Sequence, residues 1–420
     1  MQEENKWCWI VVTGSHLAQA LSIGGCSILG IMLNAWVYDF GVTVQEVSTI
    51  FALIPICDGV ASFVAGILCG RLGYRAVAII GGVVTSLGYF ATSFAQSLSQ
   101  LYIFLGVITS CGVGIAHTPS VMVLGSYFTT SERLILANGI SFTGISTGTL
   151  LLPPLLEYLY SQYGWRRGTL VFSAFTMNLI ICGALYRPYS KVKTAKGTPK
   201  QPATAKNECS RKFTGPPLHR NIHFILSVFV VGLTAMVAFG GYVYIIPRAT
   251  SVGISSFEAT LLVTISGVSG AIGSLGHSII ITRKYVTTQT MFCISTIVCA
   301  LSLFTNPLSD HMAFLVVNVC IFTLTLAIIT TLITNPIPRM IVDWSTPSLV
   351  DPAIGIVFFT SALAQTLGMI LAGSLHHASG SFTVPYLAFG VILCLAAVLF
   401  IPIFKLMRDM DRSKKMATDV

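Results

Sequence analysis

Long apolar stretches, separated by short polar segments, follow one another along the whole chain. Each stretch is about 18 to 28 residues long, and an α-helix needs about 20 apolar residues to cross a bilayer. The pattern therefore predicts an all-α membrane protein with twelve membrane-spanning helices. The predicted spans are 7–34, 48–70, 76–95, 99–124, 134–156, 165–186, 222–246, 257–281, 287–305, 312–334, 352–376 and 382–404.

The composition leads to the same class of protein. Of the 420 residues, 54% are hydrophobic and only 9% are charged. Soluble domains carry about 25% charged residues, so this chain has too little polar surface to cover a water-soluble globule. We expect the lipid bilayer, and not a large soluble core, to surround the apolar stretches.

Basic residues are distributed unequally between the two sides of the predicted helices. If the N-terminus is cytosolic, all but three of the 24 Lys and Arg residues lie in cytosolic segments, and the three exceptions are Arg166, Arg167 and Arg248. The positive-inside rule therefore predicts that both termini and the loop 187–223 face the cytosol. The net charge of +9 reflects this topology, and we expect no nucleic-acid binding.

The segment 187–223 is polar, basic and rich in proline, and it divides six predicted spans from six. We expect an N-terminal bundle at 1–186, a cytosolic linker at 187–223, a C-terminal bundle at 224–404 and a cytosolic tail at 405–420. A weak internal repeat supports this division, because "GVTVQEVST" at Gly41 is similar to "GISSFEATL" at Gly253 and aligns Glu46 with Glu258. Parallel repeats of six spans are typical of transporters, although membrane segments also resemble each other by chance.

Six motifs stand out along the chain: "ENKWCW" (4–9), "GILCGRLGYR" (66–75), "ANGISFTGISTG" (137–148), "YGWRRG" (163–168), "CGALYRP" (182–188) and "VGISSFEATLLVTISGVSG" (252–270). Together they resemble the major facilitator superfamily and, within it, the monocarboxylate transporter (solute carrier 16) family. The resemblance implies two pseudo-symmetric bundles of six helices that transport a small organic solute, monocarboxylate-like or aromatic amino-acid-like, with or without a coupled proton. It also implies a location in the plasma membrane and a single-span immunoglobulin-type glycoprotein as an ancillary partner.

The motif 137–148 places small residues along one stripe of the fifth span. Ala137, Gly139, Gly144 and Gly148 carry this pattern. Small side chains allow helices to approach closely in lipid, where no hydrophobic drive holds them together. We expect the stripe to serve helix packing, and direct contact with a substrate is the alternative.

The chain departs from the family at its charged transport residues. The resemblance implies a Lys in span 1 and an Asp–Arg pair in span 8 for proton-linked lactate carriers. Those positions hold Ser27, Ser269 and Gly273 in this sequence. A carboxylate substrate would therefore find no fixed cation there.

Ionisable side chains inside membrane spans are costly and therefore indicate functional positions. Candidates for a proton or substrate pathway are Asp58, His16, His117 and His277, and each has the alternative of a packed, hydrogen-bonded structural role. Polar side chains that share a helix face with a possible pathway extend the set, although Thr often bonds back to its own helix. These additional candidates are Ser27, Asn34, Asn318 and Thr325.

These patterns predict a twelve-span carrier that works by alternating access. A receptor or scaffold built on a transporter fold is the main alternative, because the family's charges are missing. A membrane enzyme is a weaker alternative, since the sequence contains no HExxH motif and its eleven cysteines show no metal-ligand spacing. We accordingly expect no catalytic residues, no metal and no cofactor.

Overall fold

The computed structural model describes residues 7–42, 44–128, 131–187, 220–334 and 350–418. These residues form sixteen α-helices, and they contain no β-strand. The helices are α1 Trp7–Leu21, α2 Leu29–Phe40, α3 Val44–Leu72, α4 Tyr74–Ser93, α5 Leu98–Leu101, α6 Ser110–Met122, α7 Leu124–Tyr127, α8 Ser131–Thr176, α9 Asn178–Leu185, α10 Ile222–Val243, α11 Ile245–Ser251, α12 Ser256–Thr282, α13 Thr288–Thr305, α14 Met312–Thr334, α15 Val350–Ser379 and α16 Thr383–Thr418.

Within the described ranges, ten helical stretches are long and apolar enough to cross a membrane. One of them, Arg133–Leu185, is 53 residues long and contains two of the predicted spans. The predicted first span does not count among the ten, because a 3₁₀ segment at Gly24–Ile28 divides it into α1 and α2. The fold is therefore all-helical and consistent with twelve spans, and the first span continues six residues beyond its predicted end to Phe40.

The long helix α8 is two helices joined at a sharp turn. Gly164 has φ 74° and ψ 164°, a backbone conformation that residues with a Cβ rarely adopt. The Tyr160 hydroxyl shares a hydrogen bond of 2.7 Å with Thr169 Oγ1 across this turn. The chain reverses at Gly164, so that predicted spans 5 and 6 are antiparallel neighbours.

One end of the bundle, here called the linker face, collects the segments that flank residues 188–219. The indole nitrogen of Trp7 donates to the Leu185 carbonyl oxygen at 3.2 Å, and the Arg187 guanidinium lies 3.8 Å from the centre of the Trp7 ring. The Tyr127 hydroxyl donates to the Arg187 carbonyl oxygen at 2.6 Å. The start of α1, the end of α7 and the end of α9 therefore lie together.

The start of α10 lies at the same face. Gly232 approaches Thr360 and Gly240 approaches Gly368, so α10 and α15 run in parallel. The start of α15 is fixed at the linker face because the Tyr74 hydroxyl donates to Asp351 Oδ2 at 2.9 Å. Residues 187 and 220 therefore lie on the same side. The linker itself, 188–219, lies outside the described residues, and the predicted domain boundaries stay a prediction.

The last helix extends into the predicted C-terminal tail. α16 continues without interruption past residue 405 to Thr418. The sequence contains no Gly or Pro after Pro402, and these are the two residues that disfavour a helix most, so the helix extends beyond the apolar stretch. The cytosolic location of the tail stays a prediction.

Among the residues that the structure describes, the buried cores of the N-terminal helices (α1–α9) and the C-terminal helices (α10–α16) join at one end only. One large cluster includes residues of both groups, and its N-terminal members lie on the parts of their helices near the linker face: Ala65, Cys69, Val77, Val121, Met122, Ile135 and Phe142. At the opposite face the core divides into two clusters. One includes Trp36 and Phe172 and belongs to the N-terminal helices, and the other includes Ile245 and Val319 and belongs to the C-terminal helices.

Candidate functional site: the interface between the two helix groups

Two helix pairs, α3 with α15 and α8 with α12, hold the N-terminal and C-terminal helices together. In the first pair, Gly66 lies against the Gly355 backbone and Gly59 lies against Ala362. The absence of side chains at Gly66 and Gly355 lets the two backbones touch. This contact lies between the middle of the helices and the linker face.

The second pair repeats this arrangement on the other side of the interface. A Cβ at Gly139 would collide with Ser278 Oγ, and one at Gly270 would lie 3.0 Å from Ser146 Oγ. Gly139, from the predicted packing stripe, is therefore a contact across the interface. The contacts extend from the linker face to about the middle of α8 and α12.

The other members of the packing stripe serve the N-terminal helices. A Cβ at Gly144 would meet the His16 carbonyl oxygen, and one at Gly148 would meet the Ala20 carbonyl oxygen. Both glycines thus let α8 approach the first span at backbone distance. Ala137 is completely buried. This geometry supports a packing role for Gly144 and Gly148 in contact with the first span.

Asp58 lies where α3 packs on α6. Its carbonyl oxygen lies against Gly114 of α6, and its neighbour Gly59 lies against α15. One carboxylate oxygen, Oδ1, is buried and has no hydrogen-bond partner in the described part of the chain. Most buried polar atoms have a partner, so an unpaired carboxylate oxygen beside the interface marks this position as exceptional.

His117 belongs to the same junction of α3, α6 and α15. It is buried, and its ring packs edge-on against Phe358 of α15 with 4.9 Å between ring centres. His117 comes about one helical turn after Gly114 on α6, so Asp58 and His117 share one three-helix junction. From the sequence, Asp58 and His117 are separate candidates, and the structure brings their helices together.

His16 lies on the other side of the N-terminal helices. Its Nδ1 is 2.9 Å from the Ile140 carbonyl oxygen of α8, so the ring holds α1 to α8. Within the described part of the chain, no hydrogen bond connects His16 with Asp58. The two residues therefore occupy different helix contacts, α1–α8 and α3–α6.

A buried polar cluster beside His16 was missed by the sequence reasoning. Ser15 Oγ donates to the Ser120 carbonyl oxygen at 2.7 Å and lies 2.5 Å from Ser141 Oγ. Gln19 Nε2 donates to Ser120 Oγ at 3.3 Å, and Gln19 Oε1 is buried without a hydrogen-bond partner among the described residues. These residues are uncharged, so the search for ionisable groups overlooked them; their four-residue spacing on α1 was the available signal.

His277 is buried, and its hydrogen-bond partners belong to its own helix. Its Nδ1 is 2.8 Å from the Gly273 carbonyl oxygen and its Nε2 is 3.2 Å from Ser278 Oγ. Both ring nitrogens thus have partners. This geometry favours the structural alternative for His277.

The family's charged positions are occupied by packed, neutral groups where the side chains are described. Ser269 Oγ lies 2.6 Å from Thr323 Oγ1, and a Cβ at Gly273 would meet the Leu324 carbonyl oxygen. Both therefore serve contact between α12 and α14. Ser27 lies in the 3₁₀ segment and Asn34 in α2, and their side chains lie outside the described part of the structure.

Asn318 and Thr325 share one face of α14, but that face packs on α13. Asn318 Oδ1 accepts from Asn306 Nδ2 at 2.8 Å, and its own amide donates to the Ser302 carbonyl oxygen at 2.8 Å. Thr325 donates back to the Ile321 carbonyl oxygen at 2.7 Å. Asn318 thus joins α14 to α13, whereas Thr325 is bonded to carbonyl oxygens of its own helix.

No group of three or more His, Cys, Asp or Glu side chains in the described ranges could hold a metal ion. The geometry thus consists of two glycine-rich helix contacts, an unpaired buried carboxylate oxygen beside one of them, and cores that join only at the linker face. Apolar helices in this arrangement define a class: multi-pass membrane transporters built from two packed helix groups.

Comparison with known proteins identifies the family. Residues 16–339 match the model of the Major Facilitator Superfamily. Over 435 aligned positions the chain is 26% identical to monocarboxylate transporter 12 of Mus musculus, covering 96% of this chain and 87% of that protein. It is 28% identical to monocarboxylate transporter 12 of Homo sapiens over 438 positions, 96% and 82% of the two chains.

A higher identity is found over a shorter region. The chain is 33% identical to monocarboxylate transporter 11 of Mus musculus over 275 positions, which cover 65% of this chain and 59% of that protein. The chain therefore belongs to the Major Facilitator Superfamily and is similar to its monocarboxylate transporters. Membership makes it a membrane transporter by class and argues against an enzyme.

Proposed function

We propose that this protein carries a small organic solute across a membrane by alternating access. The solute is monocarboxylate-like or aromatic amino-acid-like. The names of the relatives support the first class, and the missing cations at Ser27, Ser269 and Gly273 argue against simple transfer of the lactate mechanism. A neutral or zwitterionic solute fits these uncharged positions best.

The observation that carries the proposal is the one-sided connection between the cores. Residues near the linker face form a cluster common to both helix groups, whereas the opposite face has a separate cluster in each group. A carrier needs two groups that can part at either end. The structure has the features of one such state, closed at the linker face.

The predicted topology gives this state a direction. Because the basic asymmetry predicts that the linker face is cytosolic, the state corresponds to an outward-facing carrier with its cytosolic end closed. The Tyr74–Asp351 hydrogen bond and the Gly66–Gly355 contact hold that end. Because the chain resembles the monocarboxylate transporter family, we place it in the plasma membrane. The same resemblance suggests an ancillary single-span glycoprotein as its partner.

Asp58 supplies a proton step if transport is proton-coupled. Asp58 directly precedes Gly59, which contacts α15, and its Oδ1 has no hydrogen-bond partner among the described residues. Protonation would neutralise the group before the helices move, because an ionised carboxylate in a dry interface is costly. Facilitated transport without a coupled proton is the alternative within this function.

Uptake into proteoliposomes tests the proposal. Purified protein is reconstituted, and a panel of labelled organic acids and amino acids is offered outside, with and without an inward proton gradient. We expect saturable uptake of at least one member of the panel above the rate of protein-free liposomes. Specific binding without uptake across the panel would favour the alternative, a receptor or scaffold on a transporter fold.

A further inference from the structure

A cavity lies away from the interface between the helix groups, at the face opposite the linker face. It has a volume of about 350 Å³ and lies between α11, the end of α15 and the turn into α16. All of these elements are C-terminal. Small-ligand sites have volumes from about 300 Å³ upward, so the cavity is large enough for a small organic molecule.

A buried guanidinium forms part of its wall. The Arg248 side chain is 9% exposed, and its Nη2 donates to Asp310 Oδ1 at 2.6 Å. Arg248 Nε is buried and has no hydrogen-bond partner in the described ranges. A buried donor without an acceptor costs free energy that an incoming acceptor would recover. Arg248 therefore has unused capacity to bind an anion.

The existing partner of Arg248 is a weak competitor. The Asp310 side chain is 64% exposed, and solvent screens ion pairs in which one partner is exposed. An incoming carboxylate that reaches the guanidinium out of bulk water would meet less screening. Because Asp310 already offsets part of the positive charge, a singly charged carboxylate fits better than a phosphate dianion.

Two aromatic rings, His376 and Phe382, form one part of the remaining cavity wall, and the rest is formed by Ser251, Val252, Gly380, Ser381 and Thr383. The His376 ring stacks on the Phe382 ring with 3.9 Å between centres and 16° between planes. Phe382 in turn lies 5.8 Å from the Tyr244 ring. His376 Nδ1 is buried and lacks a partner among the described residues. The wall thus combines an aromatic surface with the guanidinium of Arg248.

We infer that this cavity binds a small carboxylate with a flat apolar body. The carboxylate would bind the guanidinium of Arg248, which pairs with carboxylates in a fork geometry, and the flat body would lie along His376 and Phe382. The site belongs to the C-terminal helices and is separate from Asp58 and the central interface. It would bind its ligand whether or not the protein carries a solute.

Fluorine NMR on the purified full-length protein tests this inference with two matched probes. 4-Fluorobenzoate carries the carboxylate, and 4-fluorobenzamide has the same shape without the charge. We expect the wild-type protein to broaden the benzoate signal and to leave the benzamide signal sharp. Equal broadening of both probes would overturn the inference, because the guanidinium would then play no part.

Two substitutions at the ion pair should change affinity in opposite directions. Arg248→Gln removes the guanidinium and should weaken benzoate binding by about tenfold or more, as expected for loss of a buried charge partner. Asp310→Asn removes the competing carboxylate and should strengthen binding several-fold. Unchanged affinity in Arg248→Gln, with intact thermal unfolding, would contradict the assignment.

Two further variants keep the test valid if Arg248→Gln fails to fold. Ser251→Phe fills the cavity from its exposed edge and leaves the Arg248–Asp310 pair in place, so it should abolish binding. Arg166→Gln is the matched control, because Arg166 also pairs with an aspartate, Asp39, at 2.8 Å but is 44% exposed and lies outside the cavity. Full binding in Ser251→Phe, or an equal loss in Arg166→Gln, would overturn the site.

Discussion

Most buried hydroxyl groups in this protein satisfy their hydrogen bonds within their own helix. Thr325, Thr85 and Ser361 each donate to the carbonyl oxygen four residues earlier, which is the usual arrangement for Ser and Thr in apolar helices. Asp58 cannot do this, because an ionised carboxylate only accepts hydrogen bonds and the carbonyl groups nearby also accept them. Asp58 therefore differs from the buried hydroxyl groups, and this difference is the reason to propose that it takes up and releases a proton.

Asp58→Asn should separate proton coupling from solute movement. The amide keeps the shape of the carboxyl and removes its titration. We expect the variant to exchange solute across equal pools and to lose stimulation by an inward proton gradient in proteoliposomes.

The control for Asp58→Asn is Glu157→Gln, which removes an exposed carboxyl group far along α8. It should transport like the wild type under both conditions. If Asp58→Asn retains the pH response of the wild type, Asp58 is only a structural group between α3 and α6.

Residue chemistry was the least predictable level. The cost of ionisable groups in lipid directed attention to Asp58 and the histidines, but it could not show which carbonyl oxygen each ring would meet. His277 finds both partners on its own helix, whereas His16 reaches across to α8. This difference depends on helix rotation and neighbours, which the sequence of one helix does not contain.

At the level of helices, the sequence predicted nearly every span, because length and hydropathy alone determine whether a segment can cross lipid. It did not predict the 3₁₀ break at Gly24–Ile28 or the extension of α16 to Thr418. The break lies where Gly24 packs against Gly148 of α8, so a tertiary contact accompanies it. Local periodicity cannot reveal such a contact.

Substitutions at two glycines test helix packing, because one should destabilise the protein and the other should not. A side chain at Gly144 would collide with the first span, whereas one at Gly276 of α12 would meet no atom within 4 Å. Gly144→Leu should therefore destabilise the protein by about 1–3 kcal/mol or more, as overpacking does.

Gly276→Leu is the matched control and should keep the wild-type melting temperature or raise it, since Leu favours helices over Gly by almost 1 kcal/mol. Thermal unfolding in detergent, with folded yield, measures both variants. A Gly144→Leu protein as stable as Gly276→Leu would show that α8 does not depend on close approach to α1.

For the whole molecule, membrane orientation is the first prediction to check. The structure places Arg187 and the start of α10 on one face and Arg166 on the other. With the basic excess on the linker face, that face should be cytosolic.

Impermeant thiol reagents applied to intact cells measure this orientation. Single cysteines are introduced at Gln162, in the turn before Gly164, and at Gln201, within the linker, on a background in which the eleven native cysteines are replaced. Gln162→Cys should react from outside and Gln201→Cys only after permeabilisation. The reverse pattern would invert the topology.

Lactate is the second prediction at this scale. Ser269 is hydrogen-bonded to Thr323, and Gly273 is packed on α14, so the described interior offers no fixed cation at these positions. We expect no robust lactate uptake driven by an inward proton gradient, because a buried carboxylate without a paired cation is strongly disfavoured. Lactate uptake that saturates and follows the proton gradient would refute this expectation.

Alternating access itself is tested most directly by distances between the helix groups during transport. Spin labels at Arg133 and Arg283 report the linker face, and labels at Glu46 and Glu258 report the opposite face, because these residues lie at the exposed ends of α3, α8 and α12. Leu72 with Arg133 is the control pair within the N-terminal helices.

Pulsed electron paramagnetic resonance in liposomes measures these three distances with and without a solute that the uptake panel identifies. If the helix groups alternate, we expect the solute to add a longer distance between the labels at Arg133 and Arg283 and a shorter distance between those at Glu46 and Glu258. The distance between the labels at Leu72 and Arg133 should stay constant. If both interface pairs keep one unchanged distance while solute is carried, the two helix groups do not rock against each other and alternating access by this interface is wrong.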